Sequence, residues 1–136
     1  MWLVYALLAA AFASLTAILA KVGLDGVNSH LATAIRTVVA LVLSCGLAAL
    51  VGAQKEIPDL SRHNCLFLGL SGLCTGLSWL CYYKALQIGQ VSKVAPVDKL
   101  SVVLTIILAA VFLHEPFTAK TLAGSLLLVA GILMLI

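Results

Sequence analysis

The fold is decided by the stretch MWLVYALLAAAFASLTAILAKVGL (Met1–Leu24) and by four apolar stretches that follow it. A helix rises about 1.5 Å per residue, so about 20 apolar residues cross a hydrocarbon core roughly 30 Å thick. Five stretches reach that length, and the sequence predicts these membrane spans: Met1–Leu24, Leu31–Ala53, Cys65–Leu86, Val94–Leu113 and Phe117–Ile136. The connections are too short for a soluble domain, so any function must be performed in or across the membrane.

The composition favours the same class of protein. Hydrophobic residues make up 63% of the chain and charged residues 10%, whereas soluble domains have about 45–50% and about 25%. A soluble all-α protein needs polar faces on its helices, and these segments have too few polar residues to form them. The net charge of +3 is spread along the chain, which gives no reason to expect a nucleic-acid partner. We expect an all-α bundle of transmembrane helices, with residues 1–136 as a single domain.

The sequence contains no pattern typical of an enzyme. No nucleophile arrangement, zinc-binding HExxH helix, phosphate-binding glycine loop or pair of catalytic carboxylates is present. The four cysteines have no CxxC spacing, and we expect small packing residues rather than a metal site or disulfides; they are Cys45, Cys65, Cys74 and Cys81. We therefore expect neither a metal nor a cofactor.

Positive charges in the connections give no preferred orientation. Five spans put the two termini on opposite sides of the membrane, and an excess of Lys and Arg normally marks the cytoplasmic side. Here the connections on the two sides have three such residues each: Lys55, Arg62 and Lys120 against Lys21, Lys84 and Lys93. Two interpretations stay open. Either the first helix or family context sets the orientation, or copies insert both ways and pair antiparallel.

Three charged residues lie within predicted spans, and they are the first candidates for a functional site. An ionisable side chain at depth costs at least about 2.5–3.5 kcal/mol, so it normally faces a cavity or a partner. Arg36 belongs to a polar stripe of the second span, while Asp98, Ser101 and Thr105 share one face of the fourth. These stripes predict a hydrated lumen. The alternative is an Arg36–Asp98 pair that only stabilises the bundle, with Lys99 extended towards the lipid headgroups.

Small residues and helix ends give structural expectations. Gly72 and Gly76 form a small-xxx-small motif in the third span, and Gly124 and Gly131 lie one heptad apart in the fifth. Such faces allow helices to approach closely, and packing within the chain is the use we expect.

Residues near the helix ends have predicted structural roles as well. Pro96 is expected in or near the first turn of the fourth helix, where proline is tolerated best. Ser29 is expected to cap the second helix. A carboxylate at the end of a helix is unfavourable, so Glu115 is expected to cap the start of the fifth helix.

Three segments of the second half resemble the EamA domain of the drug/metabolite transporter superfamily. They are Trp79–Gly89 (WLCYYKALQIG), Val94–Ser101 (VAPVDKLS) and Leu113–Phe117 (LHEPF), followed by Gly124 and Gly131. In the third segment His114 stands where the family usually has glycine, and the glutamate after it is retained. The resemblance covers essentially all 136 residues as one five-helix unit.

The resemblance implies a transporter of a metabolite or drug in a plasma (inner) membrane of bacterial type. Most relatives have two such units in inverted topology, with substrate in a cavity between them. This sequence contains one unit, so an inverted repeat requires two copies assembled antiparallel. The expected partners are the bilayer, a second inverted copy and a small-molecule substrate. The alternative is a non-transporting subunit that pairs with a different membrane protein.

For the transporter, we expect alternating access around a site lined by the second, third and fourth helices. The candidate substrate-binding residues are Arg36, Trp79, Tyr82, Asp98, Ser101 and Thr105. Asp98 is the candidate for ion coupling, since a carboxylate in the membrane can bind and release a proton. The excess of positive charge within the spans favours an anionic or zwitterionic substrate.

Overall fold

The computed structural model describes all 136 residues, and every regular element in it is helical, as predicted. The elements are α1 (Trp2–Gly23), α2 (Ser29–Val51), a 3-10 helix (Ala53–Asp59), α3 (Arg62–Ile88), α4 (Val91–Asp98), α5 (Leu100–Phe112) and α6 (Ala119–Leu135). The helices α1, α2, α5 and α6 each follow from a long apolar run bounded by polar, Gly or Pro residues.

Four helical stretches are long and apolar enough to cross a membrane: Trp2–Gly23, Ser29–Val51, Arg62–Ile88 and Val91–Phe112. The last of these combines α4 and α5. The fifth apolar helix, α6, has 17 residues, which correspond to about 25 Å. Length and composition thus support four of the five predicted spans and leave the fifth as a shorter apolar helix.

The apolar surface of these helices is largely uncovered. In the most apolar window of each of the four spans, at most 11% of the residues are buried. Exposing so large an apolar surface to water is unfavourable, whereas exposing it to lipid chains is not. The backbone polar groups need no water, because they are hydrogen-bonded within the helices. The exposure pattern is therefore that of a chain in contact with lipid.

One compact unit comprises Leu19–Gln87. Its buried residues lie at the end of α1, the start of α2 and the end of α3; they are Ala20, Leu24, Ser29, Thr33, Tyr83 and Leu86. Lys21 Nζ donates to the carbonyl of Leu86 at 2.6 Å, and Gln87 Nε2 donates to the carbonyl of Val27 at 2.9 Å. These two bonds tie the α1–α2 connection to the end of α3, where a cation also suits the helix dipole.

The other compact unit comprises Met1–Ile18 and Ile88–Ile136. Within it α4, α5 and α6 contact one another, and α6 runs back alongside α5 and α4. Lys93 Nζ, near the start of α4, donates to the main-chain carbonyl of Ile136 at 2.8 Å. The end of α6 therefore lies at the level where the fourth span begins.

The fourth span differs from the single helix predicted over Val94–Leu113. It begins at Val91, so Pro96 is the sixth residue of α4 rather than a first-turn residue, and it lacks the N–H that would bond the Ser92 carbonyl. The N–H of Lys99 bonds the carbonyl of Pro96 at 2.9 Å, and that of Val102 bonds the carbonyl of Lys99 at 3.0 Å. These i to i−3 bonds form a tight turn that interrupts the span, about 12 Å from its start.

Two predicted helix caps are wrong. Asn28, not Ser29, caps α2, because its side chain accepts the His30 N–H at 2.9 Å. Thr118, not Glu115, caps α6, with its hydroxyl accepting from the Thr121 N–H at 3.2 Å. Residues 114–118 lie outside any helix, so Glu115 is three residues ahead of the capping position.

Candidate functional site

The strongest candidate site lies in the unit Leu19–Gln87, where α2 presents Arg36 to α3. The residues of α2 that precede it on the same side, Ser29 and Thr33, are buried. Thr33 and Thr37 each donate a hydroxyl hydrogen bond to the carbonyl four residues earlier, at 2.8 and 2.7 Å. The hydroxyl donors of Thr33 and Thr37 are therefore satisfied within the helix, and Arg36 is the charged member of the polar stripe predicted for α2.

The Arg36 side chain packs against two aromatic rings of α3. The guanidinium carbon of Arg36 lies 4.0 Å from the centroid of the Trp79 ring and 5.3 Å from that of Tyr83. Trp79 and Tyr83 are four residues apart and share one helix face. Arg36 and Trp79, both predicted as site residues, are thus brought together by a cation–π contact.

The Tyr83 ring lies beside Arg36, although the sequence had favoured Tyr82 as the candidate residue. Tyr83 is buried, whereas Tyr82 is partly exposed and its ring lies edge-on to that of Tyr83, with centroids 6.4 Å apart. The signal for Tyr83 was its spacing: it lies four residues after Trp79 and three before Leu86, which is fully buried. That spacing follows a single helical face.

The electrostatic environment of Arg36 is unusual for a charge in an apolar span. Within the unit Leu19–Gln87 no carboxylate forms an ion pair with Arg36; the ion pair that the structure shows joins Lys99 and Asp98 in the other unit. The guanidinium donates no hydrogen bond within the chain either. A cation–π contact is worth about 0.5–2 kcal/mol, less than the cost of about 2.5–3.5 kcal/mol for an arginine at the centre of a span.

The second group of predicted site residues lies in the other unit, at the interruption of the fourth span. Asp98 is the last residue of α4, and its carboxylate accepts from Lys99 Nζ at 3.2 Å; the two side chains are 38% and 55% exposed. Ser101 and Thr105 are exposed on α5, where the Thr105 hydroxyl donates to the Ser101 carbonyl at 2.8 Å. Ser101 and Thr105 are uncharged, so Asp98 is the member of this group with a charge, and its carboxylate is partly exposed.

The glycines and cysteines do not pack within the chain as predicted. No atom of another segment lies within 4 Å of the position that a Cβ would take at Gly72, Gly76, Gly124 or Gly131. All four cysteines are free and exposed. In lipid, a face of small residues allows another helix to pack closely but does not require it, so these glycine faces can remain without a contacting helix.

Long apolar helices, lipid-exposed surfaces and charged residues within the spans define a multi-pass integral membrane protein. The EamA-like transporter family matches the chain over residues 1–136, and the protein belongs to that family. This membership points to a membrane transporter rather than an enzyme.

Two relatives support the assignment. The chain is 45% identical over 134 residues to an uncharacterized transporter in the cobO 3' region of a Sinorhizobium species, covering 98% of this chain and 95% of that protein. It is 38% identical over 65 residues to the uncharacterized transporter YvbV of Bacillus subtilis (strain 168), covering 48% of this chain and 21% of that protein. The first relative is thus close to this chain in length, while the second is more than twice as long. No solved structure matches the chain significantly.

Proposed function

We propose that the protein transports a small molecule across the plasma (inner) membrane by alternating access, as an antiparallel homodimer. The observation that carries the proposal is the equal division of Lys and Arg between the two sets of connections of a single five-helix unit. Without a charge bias, copies insert in both orientations. Two inverted copies then reproduce the inverted repeat on which many transporters are built.

The charge count over the connections assumes five spans, and α6 is proposed as the fifth. Its 17 residues fall at the lower limit of about 17–25 residues for a transmembrane helix. The bond from Lys93 to Ile136 supports this, because it puts the end of α6 level with the start of the fourth span. If residues 91–112 cross the membrane, a helix that returns alongside them to residue 93 crosses it as well.

The open glycine faces support a second copy as the partner. Gly72 and Gly76 of α3, and Gly124 and Gly131 of α6, leave room for a closely packed helix that this chain does not supply. The extensive exposed apolar surface is compatible with the same partner. In this proposal residues 1–136 act as one domain, and each copy contributes half of the transport pathway.

The interruption of the fourth span is the proposed moving and coupling element. Discontinuous helices commonly surround substrate and ion sites in transporters, and tight 3-10 turns within helices often mark hinges. Asp98 ends α4 at this point with a partly exposed carboxylate, and its neighbours along α5 are Ser101 and Thr105. We propose Asp98 as the residue that binds the coupling proton, with Arg36, Trp79 and Tyr82 as further substrate contacts.

Orientation reporters test the proposal. A reporter pair that distinguishes the cytoplasm from the outside is fused separately before Met1 and after Ile136. We expect comparable signal from both sides at each terminus.

A matched variant supplies the control. The double variant Lys55→Gln with Lys120→Gln removes two cations whose side chains have no hydrogen bond in the chain. It leaves one Lys or Arg residue in the connections on one side of the membrane and three on the other. This variant is expected to adopt one orientation. A single orientation of the unaltered protein would contradict the homodimer and would point to a different, oppositely oriented partner.

A further inference from the structure

We infer that Arg36 is an anion-binding group and that the transported molecule has a carboxylate or a similar planar oxyanion. The inference rests on the proposed transport function and adds the chemical class of its substrate. It starts from a comparison of the two cations that lie within the spans. Lys99 has a carboxylate partner, Asp98, at 3.2 Å, whereas Arg36 has only ring faces beside it.

The geometry leaves the donors of Arg36 available. A guanidinium has five N–H donors in one plane, and it stacks on aromatic rings through the face of that plane. The central carbon lies 4.0 Å from the Trp79 ring centroid, and a guanidinium that stacks on a ring at this distance keeps its donors at the edge of its plane. None of these donors bonds a group of the unit Leu19–Gln87.

The position of Arg36 suits a binding site within the membrane. It lies seven residues beyond the first residue of α2, about 10 Å along the helix. Trp79 and Tyr83 precede the end of α3 by nine and five residues, about 13 and 8 Å. The guanidinium is therefore held at depth, where water competes less for its donors and a bound anion is attracted more strongly.

The chemistry selects a planar oxyanion. Two parallel N–H groups of arginine match the two oxygens of a carboxylate, and such charge-assisted pairs are about twice as strong as neutral hydrogen bonds. The rings of Trp79 and Tyr83 hold the guanidinium in place, and the partly exposed Trp79 ring also offers apolar surface to the body of the ligand. An organic anion would thus neutralise a charge that has no carboxylate partner within its own unit.

Tryptophan fluorescence of the purified full-length protein in detergent tests the inference. The chain has two tryptophans, and Trp2→Phe leaves Trp79 as the single reporter beside Arg36. The probes are benzoate and its neutral analogue benzamide. We expect a saturable change in Trp79 emission with benzoate and binding of benzamide that is weaker by about tenfold or more, since a hydrogen bond to a charged group is lost.

Variants of Arg36 identify the group responsible. Arg36→Gln should weaken benzoate binding by about tenfold or more. Arg36→Lys keeps a cation but not the paired donors, and it should give intermediate binding. Lys120→Gln, in which a cation with no bond in the chain is removed, serves as the control and should bind benzoate like the parent.

The inference would be overturned by the absence of a saturable response to benzoate, by equal binding of benzoate and benzamide, or by unchanged binding in Arg36→Gln. The comparison of the two probes needs no change at Arg36, so it stands even if that variant does not fold. Because binding is measured in detergent, a negative result leaves the orientation experiment unaffected. The anion site and the homodimer can therefore fail separately.

Discussion

Replacing His114 should change the stability of the protein in a direction set by one backbone angle. His114 has φ of 53°, in the left-handed region, at the turn between α5 and α6. Its side chain is exposed and the Glu115 N–H bonds the carbonyl of Ala109 at 3.3 Å across this turn. Substitutions here therefore act through the backbone conformation, with little change in packing.

The expected magnitudes follow from that angle. An L-residue in the left-handed region costs about 1–2 kcal/mol, which glycine avoids. Glycine also loses more conformational freedom on folding, by about 0.5–1 kcal/mol, so His114→Gly should raise the free energy of unfolding by up to about 1 kcal/mol. Histidine tolerates this region better than β-branched residues do, so His114→Val should lower the free energy of unfolding by about 1 kcal/mol.

Equilibrium unfolding in mixed micelles, with SDS as the denaturant and helix content as the signal, measures both changes. His30→Gly is the matched control, because His30 lies in the first turn of α2 and glycine there can only weaken the helix. The expected order of stability is His114→Gly, then the unaltered protein, then His114→Val. The reasoning would be refuted if His114→Gly were destabilising like His30→Gly, or if His114→Val matched the unaltered protein.

Three further changes are checked by the same unfolding measurement. Pro96→Ala restores the N–H that the Ser92 carbonyl lacks and should raise the free energy of unfolding by about 1–3 kcal/mol; a loss of stability would contradict the assigned interruption. Thr118→Ala removes the cap of α6 and should cost about 1 kcal/mol, whereas Thr118→Ser should cost little. Asp98→Asn breaks an ion pair that is partly exposed on both sides, so it should change stability by less than about 1 kcal/mol; a larger loss would indicate a structural role.

Much of the helical architecture could be predicted because its signals are local. A run of about 20 apolar residues predicts a helix wherever it occurs, and four of the five predicted spans have that length in the structure. Arg36 and Trp79 could be chosen as site residues for a similar reason. A charge in an apolar span and an aromatic near the end of a helix are both visible in the sequence alone.

What could not be predicted depends on packing between segments. The choice between Tyr82 and Tyr83 is set by the rotation of α3 about its axis, and neighbouring residues of one helix differ only in that rotation. The start of the fourth span at Val91 was missed because Gln90 precedes it without a side-chain capping bond, so the helix start has no signal in sequence. The glycine faces were expected to be filled, but a small-residue motif does not specify which chain fills it.

Cross-linking between differently tagged copies tests the antiparallel homodimer most directly. Asp25→Cys and Gln54→Cys, which leave every Lys and Arg in place, are made separately in a background without Cys45, Cys65, Cys74 and Cys81, all of which are exposed. The two positions flank α2, which is about 35 Å long, so a bifunctional maleimide shorter than half that length cannot join them within one chain or between parallel chains. We expect a cross-link between position 25 of one copy and position 54 of the other. Cross-links only between identical positions would show a parallel arrangement and would contradict it.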